Sequence, residues 1–230
     1  NAKVNIIRGT AAQSYTVPKL DGEPGADAGA EADAEADADA DAGAEAASPA
    51  DVAANEAAEA WRYAMTNVDG PTAVVCTRQK VPTLDRSEMA DRKAVRRGGY
   101  VLADAEGGEP DVIVIATGSE VWKAVEARDT LAGEGIAARV VSMPSWEVFE
   151  AQDEAYRDEV LPPAVTARVS IEAGATFGWE RWIGDRGIAI GVHEFGHSAP
   201  GETNMKKYGI TPRAVVEAAR RLVGARAPAG

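Results

Sequence analysis

A continuous apolar run, Val112-Ile113-Val114-Ile115-Ala116, is the clearest element in the chain. It is β-branched and does not alternate with polar residues, the pattern of a strand covered on both faces, as in a parallel sheet between helices. The run stops at Thr117-Gly118, and Thr117 followed three places on by Glu120 has the spacing of a capping box, so a helix is expected to begin there. Val121, Ala124, Val125 and Leu131 give that helix one apolar stripe, and Gly133 and Gly135 mark its end. Ala137 to Ser142 supplies the next strand, which makes a β-α-β unit with a right-handed crossover as the expected hand.

The same alternation runs on in both directions. Met143-Pro144-Ser145 breaks the strand, Trp146 to Val160 predicts two short helices carrying Val148, Phe149 and Tyr156, and Ala164 to Glu172 predicts a third strand ended by Ala173-Gly174. Gly178 to Ile183 reads as a helical turn and Gly187 to Val192 as a fourth strand. Thr211-Pro212 opens a last helix, cap hydroxyl then proline at the first turn, with Val215, Val216, Ala219, Leu222 and Val223 on one stripe. Upstream, Asp51 to Asn67 predicts a helix with Ala57, Trp61, Ala64 and Met65 along one side, Thr72 to Thr77 a short strand, Asp85 to Arg97 a charged connector and Gly98 to Leu102 a brief edge strand. Strand and helix alternate over residues 111–223, which predicts a doubly wound α/β domain with a mostly parallel sheet.

Composition changes this picture in one place. The net charge of -13 looks like a property of the whole chain, but eleven of its 37 acids lie between Asp21 and Asp51, where there is no Lys or Arg; the remainder carries 26 acids against 24 bases. Asp21 to Ala47 is almost entirely Gly, Ala, Asp and Glu, with Asp-Ala repeating from Asp33, so it has nothing large to bury, and disorder is expected over residues 1–48. No strongly basic face favours nucleic acid. One cysteine, Cys76, rules out an intramolecular disulfide framework and fits a reducing compartment, and no apolar run reaches membrane-span length, so a soluble, cytoplasmic protein is expected. A start at Asn1 suggests a processed product or a fragment.

Three places could carry chemistry. Thr117-Gly118-Ser119 lies where a phosphate would meet a helix N-terminus, but Glu120 and Lys123 stand where a dinucleotide fingerprint needs glycines. His193-Glu194-Phe195-Gly196-His197 spells the H-E-x-x-H pattern of zinc hydrolases, with an acid such as Glu217 as third ligand. That pattern works from one face of a helix, and here it leaves a strand, contains Gly196 and runs into Ser198-Ala199-Pro200-Gly201, so loop histidines are expected instead. Arg78 sits in the loop after the Thr72 to Thr77 strand, where ligands of α/β sheets bind, and arginine suits bidentate recognition of phosphate.

Taken together, Asn55-Glu56-Ala57-Ala58-Glu59-Ala60-Trp61, Gly70-Pro71-Thr72-Ala73, Thr77-Arg78-Gln79, Arg97-Gly98-Gly99-Tyr100-Val101-Leu102, Ile115-Ala116-Thr117-Gly118-Ser119-Glu120, Val169-Ser170-Ile171-Glu172-Ala173-Gly174 and Phe195-Gly196-His197-Ser198-Ala199-Pro200-Gly201 resemble the end of a transketolase, in order from about residue 49 to 223. The resemblance implies a thiamine diphosphate and magnesium dependent homodimer that moves a two-carbon ketol unit between sugar phosphates of the pentose phosphate pathway. It divides the chain into residues 49–87, the end of the pyrimidine-binding domain; 88–110, a connector; 111–223, the C-terminal α/β domain; and 224–230, a tail. It assigns substrate-phosphate binding to Arg78 and leaves His193, Glu194 and His197 at variable positions of the family. It puts no catalytic, cofactor or metal ligand in this chain: the family's glycine-rich pyrophosphate and magnesium motif and its cofactor-activating glutamate are absent, and Ser48 stands where an arginine is common. The expected function is the C-terminal portion of a transketolase, inactive alone; the alternative is a non-catalytic α/β interaction or regulatory module.

Overall fold

A computed structural model describes residues 5–9, 49–77, 81–82 and 84–224. The acidic segment and Arg78 lie outside the described residues. Strands are β1 (Asn5–Gly9), β2 (Thr72–Cys76), β3 (Tyr100–Ala103), β4 (Val112–Ala116), β5 (Ala138–Ser142), β6 (Arg168–Ala175) and β7 (Ile188–Val192). Helices are α1 (Pro49–Thr66), α2 (Val121–Ala132), α3 (Trp146–Glu150), α4 (Glu154–Val160), α5 (Glu180–Ile183), α6 (Gly201–Lys207) and α7 (Pro212–Gly224).

Five strands form one sheet in the order β3-β5-β4-β6-β7, with β4 to β7 parallel and β3 antiparallel at one edge. Every residue of β4 is fully buried, as its unbroken apolar run requires. Its two faces serve different cores. Val112, Val114 and Ala116 pack with Ala124 and Leu131 of α2 and Val215 and Ala219 of α7. Ile113 and Ile115 pack with Phe149, Tyr156, Trp179 and Trp182 from α3, α4 and the α5 region. Helices on both faces of a mostly parallel sheet are the doubly wound arrangement expected. The β6 strand departs from expectation: it does not end at Ala173-Gly174 but runs to Ala175, with a register shift against β7 between Ile171 and Ala175 that absorbs the glycine.

The N-terminal elements form a separate two-stranded parallel sheet, Asn5 opposite Thr72 through Gly9 opposite Cys76, so the disorder expected over residues 1–48 does not hold at Asn5–Gly9, where β2 supplies the backbone partners. Helix α1 is fastened by a polar clamp. Arg86 donates to Glu56 Oε1 at 2.5 Å and to the Tyr100 hydroxyl at 3.0 Å, and that hydroxyl donates to the same Glu56 oxygen at 2.6 Å. Glu59, also buried, accepts from Arg96 Nε at 2.5 Å. Burial, and then the Glu56 carboxylate, pushes the Tyr100 phenol well above its ordinary pKa, which keeps it a donor. The packed face of α1 is therefore the one with Glu56, Glu59 and Ala60, and the apolar side expected from periodicity is left open at Trp61 and Met65, which are 57% and 82% exposed.

Candidate functional site

In a doubly wound sheet the ligand crevice opens at the carboxyl ends of strands whose connections leave in opposite directions. Here β4 leads through α2 to β5 on one side, and β6 leads through α5 to β7 on the other, so the crevice lies between the ends of β4 and β6. The Thr117–Glu120 turn fills it. Gly118 takes φ +59, which lets the chain turn sharply into a single 3₁₀ turn before α2.

The capping box does not form. Thr117 makes no side-chain cap bond, and its buried Oγ1 has no hydrogen-bond partner among the described residues. The Glu120 carboxylate instead accepts from the Ala173 N–H of β6 at 3.1 Å and from Ser119 Oγ at 2.8 Å, and the residue is only 3% exposed. The spacing is that of a cap and the partner is not: a buried tertiary donor outcompetes the helix's own first amides for this carboxylate. The consequence is chemical. A carboxyl group already engaged by the crevice's own amide stands beside Thr117-Gly118-Ser119, which argues against a phosphate there.

Burial pushes the Glu120 carboxyl above its ordinary 4.5, against the pull of the Ala173 and Ser119 hydrogen bonds and of the Lys123 charge; burial likewise lowers Lys123. A raised folded-state value means the native protein holds a proton that the unfolded chain has lost, so stability falls as pH rises from 4.5 through the raised value and is level above it. Glu120→Gln keeps an acceptor for Ala173 and has nothing to titrate there. Unfolding curves measured across that window are expected to show the decline in the parent chain and not in the variant.

The histidines lie in the irregular segment between β7 and α6. His193 Nδ1 is 3.3 Å from Thr176 Oγ1, whereas His197 Nε2 is 3.5 Å from Glu194 Oε1 and its ring stacks on Tyr208. Glu217 is engaged on α7 by Arg213 Nε at 2.7 Å. No helix carries the two imidazoles on one face, and among the described residues no group of three His, Cys, Asp or Glu side chains could hold a metal ion. Beside the crevice, Val81, Ser119, Trp122 and Lys123 help to line a cavity of about 250 Å³. Val81, which follows β2 in the chain, therefore lies near the carboxyl end of the large sheet.

Residues 98–211 match the transketolase-like TK C-terminal domain, and the chain is 52% identical over 171 residues to the transketolase of Geobacillus stearothermophilus. This chain belongs to the transketolase family. The match covers 74% of the chain and 26% of that relative, so the chain spans about a quarter of the length of the curated transketolases it resembles. Its fold agrees with the transketolase of Leishmania mexicana, with a TM-score of 0.72 and 30% identity over 99% of this chain and 26% of that one. It agrees also with a Pichia stipitis transketolase solved in complex with sedoheptulose 7-phosphate, with a TM-score of 0.70 and 27% identity over 96% of this chain and 25% of that one. None of the described helices is long and apolar enough to cross a membrane. What sequence reasoning misses in this transketolase domain is the role of Glu120, whose signal, the Thr117-to-Glu120 spacing, reads identically for a cap and for a plug.

Proposed function

We propose that this chain supplies the C-terminal domain of a transketolase that moves a two-carbon ketol unit between sugar phosphates, together with the Arg78 loop that holds the substrate phosphate. The carrying observation is the 52% identity to a transketolase over 171 residues. In this reading residues 49–87, with α1 and β2, close the pyrimidine-binding domain, and the open apolar side of α1 at Trp61 and Met65 is where the rest of that domain packs. The enzyme is a cytoplasmic homodimer that uses thiamine diphosphate and magnesium.

The described residues of this chain do not fit that cofactor. The crevice that could have taken a diphosphate holds the Glu120 carboxylate, and no acid or imidazole cluster is placed for the metal. Cofactor binding then falls to the rest of the enzyme, and the chain alone is inactive.

The test is ketol transfer by the 230-residue chain alone and by the same chain joined to the three-quarters of the Geobacillus stearothermophilus enzyme that it does not match. Activity only in the joined form supports the proposal; activity in the short chain, or silence in both, overturns it. In the active form Arg78→Ala is expected to raise KM for a phosphorylated substrate about ten- to a hundredfold, the effect of removing one charge-assisted hydrogen-bond pair to phosphate, with a smaller change in kcat. An unchanged KM would remove Arg78 from the phosphate site.

A further inference from the structure

The cavity of about 250 Å³ beside the crevice lies between the start of α2 and the corner where α6 leads into α7. Val81, Met205, Ile210 and Pro212 give it apolar walls. Lys123, the third residue of α2, lines the same space. The residue is only 7% exposed, yet its amine is not among the buried polar atoms sealed from solvent. The stem is buried and the nitrogen opens on the cavity. That nitrogen lies 5.5 Å from the centroid of the Trp122 ring and makes no hydrogen bond or ion pair with any described residue.

A buried lysine stays an ammonium at little cost only where a carboxylate or several acceptors surround it. Lys123 has no such shell. Burial lowers its pKa against the pull of the Glu120 carboxylate, and Glu120 is already engaged by the Ala173 N–H and by Ser119 Oγ. The first turn of a helix also presents the positive end of its dipole, which disfavours a cation there. From α6 the charged groups at the cavity are Glu202 and Lys206, both exposed and screened by water. A desolvated amine, unpaired and open to a cavity, is the setting in which lysine attacks carbonyl compounds.

We propose that Lys123 is a carbonyl-reactive lysine and that this cavity takes a short aldehyde, held as an imine. The neutral amine adds to the carbonyl carbon, a proton passes from nitrogen to oxygen, and water leaves as the carbon–nitrogen double bond forms. The apolar walls disfavour the return of that water and so prolong the imine. The volume lies below the range of about 300–1,000 Å³ that holds drug-sized ligands, which confines the aldehyde to a short one. The site is independent of ketol transfer, and its test needs no activity. The full chain is treated at pH 7 with glycolaldehyde and cyanoborohydride, which fixes each imine as a secondary amine, and is then digested and mapped by mass. When Lys123 is half labelled, the exposed Lys93 and Lys207 are each expected to carry several-fold less label. The lead is expected to narrow as the pH approaches about 10.4, where exposed lysines lose their protons too. It is expected to vanish in urea, where all three amines are solvated alike. Label at Lys123 no earlier than at Lys93 or Lys207, a lead that does not change with pH, or a lead that survives unfolding would each overturn the assignment.

Discussion

Gly98→Ala is expected to cost the fold more than about 4 kcal/mol, the sum of an overpacked backbone contact and a strained left-handed residue. Gly98 has φ +77, and a Cβ there would stand 2.4 Å from the Phe149 amide nitrogen and 2.6 Å from the Ser145 carbonyl oxygen. Both are backbone atoms at the start of α3, and they cannot rotate away. The Gly98 carbonyl also accepts the Ser145 N–H at 2.9 Å, so the glycine ties the entry of β3 to α3. Gly107→Ala separates the two causes: its φ is +81 but a Cβ would meet nothing within 4 Å, so its expected cost is only about 1 kcal/mol. Urea denaturation of both variants decides it. Equal effects in the two would show that the close approach to α3 contributes nothing.

The second large effect is at the α1 clamp. The side chains of Glu56 and Arg86 are 12% and 10% exposed, so Glu56→Ala strands a guanidinium in a place where water cannot solvate it, and breaking such a buried pair costs about 3–5 kcal/mol. The damage is centred on α1, because the pair joins that helix to Tyr100 at the sheet edge and neither Glu56 nor Arg86 belongs to an apolar core. Amide hydrogen exchange is expected to quicken throughout α1 while β4 keeps its protection. Removing both partners, as Glu56→Ala with Arg86→Met, is expected to cost less than the single change, since the stranded charge goes too. If α1 protection survives in Glu56→Ala, the clamp is not what holds the helix.

Much of this architecture is legible in the sequence because the physics acting on it is local or periodic. The unbroken run at β4 could only be a strand covered on both faces, and Val215, Val216 and Ala219 on α7 fall on the stripe that ends up buried. What escapes is set by partners distant in sequence. Helix α6 has no buried residue, so its polar sequence carries no periodic signal. The stripe at Trp61 and Met65 does not face the described core, since ion pairs with Arg86 and Arg96 hold the other side of α1. Glu120 has the spacing of a helix cap, but its true donor is Ala173, more than fifty residues on. Arg78 is singled out by its place after β2 and by family resemblance, and it lies outside the described residues.

The antiparallel strand β3 has a consequence for solubility. It ends the sheet on one side, and an unpaired strand edge is a template onto which another chain can add. At the register shift between Val101 and Ala103 the Leu102 carbonyl accepts the Ala90 N–H at 3.0 Å, and Tyr100 is tied by its hydroxyl to α1. The clamp thus also guards that edge. A chain whose α1 comes away should recruit a second copy through Tyr100–Ala103, so weakening one buried ion pair beneath α1 would be read out as concentration-dependent aggregation rather than as unfolding.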